Sequence, residues 1–171
     1  MEFQRDPPGD AAILGPQYAQ GLEALVRLTG TQRLQLLGEL GTLARQLRDY
    51  PAAIGHFKAA VALARDLEDA RLLAANQVRL GVALHHYDQL APAIGLFEAV
   101  IAAPDCGYRD FALQHLGKLH VEQKQFTAAR DCFTQALELR QAKGDPGLIA
   151  STRAALAGLD QLETAERKKR E

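Results

Sequence analysis

The sequence has no tryptophan, 6% aromatic residues, two cysteines, one methionine and five histidines in 171 positions. Scarce aromatics and few runs of β-branched residues leave little from which to build strands. Cys106 and Cys132 are too few for a disulfide framework and lack the close spacing of a metal site, so free thiols are expected. Net charge is also missing. The 20 basic and 21 acidic residues sum to −1, which gives no global field to attract nucleic acid or an anionic membrane. No segment approaches the roughly 18 to 20 apolar residues of a transmembrane helix. The stretch from Met1 to Gly15 carries charges and Pro7-Pro8 where a secretory signal needs an uninterrupted apolar run. These absences point to a soluble, cytoplasmic protein. What is abundant is Ala and Leu with charges spread among them, 47% hydrophobic in all. That is helical composition, in a length that suits one compact domain or a short solenoid.

A repeat organises the chain. Leu-Gly occurs at Leu40-Gly41, Leu80-Gly81 and Leu116-Gly117. Each pair is followed by an Ala, a Phe four residues on, and a small apolar residue three beyond: Ala53, Phe57, Ala60; Ala93, Phe97, Val100; Ala129, Phe133, Ala136. The interval from Gly to Phe is 16 residues each time, whereas Phe57 to Phe97 is 40 and Phe97 to Phe133 is 36. A fixed interval implies a fixed helical hairpin, and the variable part is either the connection or an extra helical turn. Gly in the first helix lets its partner helix approach closely, and Phe fills the space between neighbouring hairpins.

In its Leu-Gly, Ala and Phe elements this pattern resembles the tetratricopeptide repeat, over about two thirds of the chain. The aromatic slot before Leu-Gly holds Leu37, Gln77 and Leu113, and the Tyr slot after it holds Ala44, Leu84 and His120, so the match rests on the small and Phe positions. The resemblance implies an all-α, right-handed solenoid of antiparallel helix hairpins, about eight helices with terminal caps. Residues 1–15 are expected to be a flexible N-terminus and 16–30 a leading helix ended by Gly30. Three hairpins follow at about 31–68, 69–105 and 107–143. Residues 145–171 should form a capping helix and charged tail.

No chemistry stands out. His85 and His86 are adjacent, so they point about 100° apart on a helix and miss the i, i+4 register of a helical metal site. His115 and His120 are also off register. No His-Glu-x-x-His, phosphate loop or nucleophile elbow is present. Cys106 reads as a loop thiol, and Cys132 as packing on the Phe133 helix. The basic run from Glu166 to Glu171 reads as a solvated helix end. The expectation is a protein without enzymatic activity, cofactor, metal or nucleic-acid partner.

The resemblance implies a concave groove lined by the first helix of each hairpin, on the face away from Leu-Gly. By register, the candidate partner-binding residues are Arg45, Val78, Val82, His85, His86, Phe111, Gln114 and Lys118. Their mixture of apolar centre and polar flanks suits a protein or peptide partner. Some relatives grip acidic chaperone tails with a two-carboxylate clamp. The matching slots here hold Gly38, Thr42, Arg79, Phe111 and His115, so that clamp is absent. Two alternatives remain: a ligand- or peptide-sensing domain of a bacterial regulator, and a structural module that self-associates through its terminal helices.

Overall fold

The computed structural model describes residues 9–104 and 106–168. Pro7-Pro8, in the stretch expected to be flexible, and residues 169–171 of the charged tail lie outside the described residues. Among the described residues there are eight α-helices and no strand: α1 (Ala11–Leu25), α2 (Gly30–Gln46), α3 (Tyr50–Asp66), α4 (Ala70–His86), α5 (Leu90–Ala102), α6 (Arg109–Glu122), α7 (Phe126–Lys143) and α8 (Pro146–Lys168).

The described chain divides into two compact units, α1 to α5 as far as Tyr108 and α6 to α8 from Arg109 onward. In the first, α1 packs on α2, α2 on α3, α3 on α4 and α4 on α5, and α2 also meets α4. In the second, α6 packs on α7 and α7 on α8. The pairs α2/α3, α4/α5 and α6/α7 are helix hairpins closed by three-residue turns.

One local device makes these turns. After each C-terminus comes a residue with positive φ, Arg48, Asp88 or Lys124, and the same device at Glu68 joins α3 to α4. The next amide reaches back five residues: Asp49 to the carbonyl of Ala44, Asp69 to Ala64, Gln89 to Leu84 and Gln125 to His120, at 2.8 to 3.0 Å. This geometry satisfies the last carbonyls of one helix while aiming the chain into the next. Asp49 and Asp69 then serve as N-caps, accepting the amides of Ala52 and Leu72. The longer Phe57-to-Phe97 interval is helix, not loop. Helices α3 and α4 run to 17 residues each, against 13 and 14 for α5 and α6.

Two boundaries differ from the sequence expectation. Helix α1 starts at Ala11, inside the stretch taken as flexible, because the Asp10 carboxylate accepts the Ala12 amide at 2.9 Å and caps it. Pro16, taken as the start, lies within the helix. Gly30 does not end α1. The helix stops at Leu25, and Gly30, at φ 53°, opens α2 instead. Arg33 of α2 ties the two ends together by donating to the Leu25 carbonyl at 2.6 Å.

The Leu-Gly and Phe positions form the seam of each hairpin. A Cβ on Gly41, Gly81 or Gly117 would lie 2.6 Å from the ring of Phe57, Phe97 or Phe133 respectively. All three rings are fully buried. Each Phe therefore sits over the glycine of its own hairpin, whereas the sequence argument had placed it between neighbouring ones. Around these seams, Leu34 and Leu37 of α2 pack with Ala60 and Ala64 of α3. In the second unit, Ala155 and Leu159 of α8 join Val121, Ala129 and Phe133. On the outer side, Arg130 donates to Asp160 at 2.6 Å and Glu163 at 2.8 Å. Bonding to these carboxylates, Asp160 first, raises its pKa, but an exposed pair of this kind adds little stability.

Candidate functional site

The eight candidate residues separate by burial. Arg45 in the last turn of α2, His86 at the end of α4, and Phe111 and Lys118 on α6 are part-exposed. Val78, Val82, His85 and Gln114 are buried, with 4% to 7% of their surface exposed, so in this state they offer a partner almost no area. The face inferred from register is thus partly a packing face. Gly38 shows why. Its missing side chain leaves room for Asn76 and Arg79 of α4, whose polar atoms would lie 3.0 and 3.3 Å from a Cβ there. The same face that was assigned to a ligand is used by α2 to approach α4.

At the end of α4 the rings gather. His86 meets Tyr50 edge-on at 5.7 Å, Tyr87 lies 6.5 Å from Tyr50, and His85 lies 6.2 Å from His86. Tyr87 is 46% exposed, so part of this cluster faces solvent. Aromatic rings with a solvent-facing edge and polar tips are of the type enriched at interfaces.

In the second unit a buried polar network joins three helices. Arg140 of α7 donates Nε to Asp110 Oδ2 at 3.1 Å. Its Nη1 donates to Gln114 Oε1 at 3.1 Å, Thr152 Oγ1 at 2.7 Å and the Leu148 carbonyl at 3.3 Å. Lys143 donates to the other oxygen of Asp110. Asp110 is fully buried and Arg140 nearly so, a pairing that is tolerable only because charge and hydrogen bonds are satisfied together. The Arg140 guanidinium also lies 5.3 Å from the centroid of the Phe111 ring. Sequence reasoning picked Phe111 and Gln114 from this corner but not Asp110, Arg140 or Thr152. Asp110 and Arg140 lie 30 positions apart and have no common motif, so only the folded hairpin brings them together.

Neither thiol is a surface nucleophile. Cys106, taken as a loop thiol, is 4% exposed and directs its S–H at the Val100 carbonyl. Burial, with the nearby Asp131 carboxylate adding to it, pushes the Cys132 pKa up and keeps it protonated. Among the described residues no three His, Cys, Asp or Glu side chains are grouped so as to hold a metal. None of the described helices is long and apolar enough to cross a membrane.

Helix hairpins with a Gly–Phe seam, each closed by the same turn, define an all-α helical repeat protein. A tetratricopeptide-repeat family model matches residues 36–71 and a second matches residues 112–143. The two matches support a tetratricopeptide-repeat protein. Repeats of this family generally mediate protein–protein interaction and are typically non-enzymatic scaffolds. Comparison with curated proteins finds none that matches the chain.

Proposed function

We propose that this protein is a non-enzymatic interaction module that binds a peptide or protein segment against the first-helix faces of its hairpins. The observation that carries this reading is the exposure of Arg45, His86, Phe111 and Lys118, which combine cationic, aromatic and imidazole groups on those faces. Arg and aromatic residues are the usual energetic anchors of such contacts. Affinity purification of the intact protein from its source cell identifies the partner. The partner's Kd is then compared between wild type and the variants Arg45→Glu, Lys118→Glu and His86→Ala. At least one variant should weaken binding by about tenfold, equivalent to about 1.4 kcal/mol, without a change in melting temperature. Unaltered affinity in all three places the interface elsewhere.

A second reading, self-association through terminal helices, is favoured by α1. Ile13 and Leu22, with Val26 at its C-cap, are 58%, 39% and 83% exposed. Light scattering separates the two: a dimer that Leu22→Glu with Val26→Glu returns to monomer supports it, and a monomeric wild type rejects it.

A further inference from the structure

We infer that Gln114 is a main-chain reader and that the segment bound by this protein is extended where it passes α6. This rests on the peptide-binding reading above and adds to it the conformation of the partner.

Gln114 is 4% exposed, and its Nε2 is buried without a hydrogen-bond partner among the described residues. Its orientation is fixed, because the carboxamide oxygen accepts from Arg140 Nη1 at 3.1 Å. Turning the amide over would set an N–H against the guanidinium and lose that bond. A buried donor with no acceptor destabilises a protein by about 1 to 3 kcal/mol, and such groups usually have an explanation. Here the network strengthens the group it leaves unsatisfied. A cation bonded to the amide oxygen draws density from nitrogen, making the Nε2 hydrogens better donors.

The missing partner is therefore an oxygen acceptor. Gln114 lies on α6 between Phe111, three residues before, and Lys118, four residues after, so all three share one helix face. Those two neighbours are part-exposed, so the helix face that carries Gln114 borders solvent. A helical partner has few acceptors to offer, since each carbonyl except those of its last turn is already bonded within the helix. An extended segment presents unbonded carbonyls along its length. The neutral amide suits a neutral carbonyl, and recognition of this kind is indifferent to the partner's side chain at that position.

The test uses the full chain with 15N-labelled side-chain amides, and N-acetyl-trialanine methylamide as probe, which carries main-chain carbonyls and no polar side chain. The Gln114 amide resonances should shift saturably with the probe. Gln114→Glu keeps an acceptor for Arg140 but removes the donor. It should retain the fold, abolish the probe response at the neighbouring Phe111 and Thr152 amides, and weaken the natural partner by about tenfold. Gln114→Leu is the second variant, which removes the donor without adding a charge and should also lose the response; its own cost is the Oε1 acceptor of Arg140. Resonances that do not move, or a long-lived water at Nε2 that the probe fails to displace, overturn the inference. Its failure is distinct from that of the broader reading. The Arg45 and Lys118 variants report on partner binding, whereas the amide resonances report on the seat with no partner present.

Discussion

The Gly–Phe pair decides how closely each hairpin closes. At Gly81 an added Cβ would lie 2.6, 2.9 and 3.1 Å from three atoms of the Phe97 ring, and that ring is fully buried with no room to retreat. Gly81→Ala should therefore destabilise by about 1 to 3 kcal/mol, in spite of the better helix propensity of Ala. Phe97→Ala removes the ring and should cost about 3 to 5 kcal/mol. The two changes are coupled, because each relieves the strain or void the other creates. In a urea-denaturation cycle the double variant should lose less than the sum of the singles by at least about 0.5 kcal/mol. Simple additivity would mean that the ring does not rest on the glycine. That the Gly and Phe positions are core was legible in the sequence because three copies shared one spacing, but that each ring rests on the glycine of its own hairpin was not. The residues of the Arg140 network were not, since a single Arg–Asp pair has no periodicity to betray it. That four of the eight candidate site residues, Val78, Val82, His85 and Gln114, are buried was hidden for a related reason. Helical register says which residues share a face, but not whether a neighbouring element covers it.

At the scale of the element, α1 docks with polar contacts to α2 and α3 and little buried surface of its own. It has no fully buried residue, and Pro16 interrupts its backbone bonding. Gly21 admits Leu40 of α2, and Tyr18 meets His56 of α3 at 2.8 Å. Burial lowers the His56 pKa, and the Asp49 carboxylate offsets this in part. Burial, followed by Asp49, raises that of Tyr18. The docked form thus favours a neutral imidazole. A depressed folded pKa gives stability that is fully present above the ordinary imidazole value and is lost as pH falls through the folded value. Acidification from about pH 7 to about pH 5 should loosen α1, read as movement of its backbone chemical shifts toward disordered positions. His56→Gln supplies an oxygen acceptor for the Tyr18 hydroxyl with no titration, so it should flatten that response. An acid response that persists unaltered in His56→Gln removes His56 as its cause. The sequence reading starts the leading helix at 16, whereas the Asp10 carboxylate caps it at Ala11.

At the scale of the whole molecule, α8 is the last of the described helices, and its loss tests whether α7 needs a cover. It contributes Ala155 and Leu159 to the cluster around Phe133, and Thr152 and the Leu148 carbonyl to Arg140. Asp145 caps its start by accepting the Leu148 amide at 3.0 Å, just after Gly144 ends α7 in a left-handed conformation, so Gly144 is a clean place to stop the chain. Truncation there uncovers the apolar flank formed by Val121, Ala129 and Phe133, and contiguous apolar patches drive association. It also takes two acceptors from a guanidinium that remains paired with Asp110, leaving a buried charge less completely bonded. Both effects act in one direction. A chain ending at Gly144 should melt at a clearly lower temperature and run as dimers or larger species by light scattering. Arg140→Met combined with Asp110→Leu in the same truncation should recover part of the lost stability, because it removes both buried charges together while keeping apolar bulk. A monomeric truncation as stable as the full chain would show that α7 needs no cover and that α8 is a detachable tail.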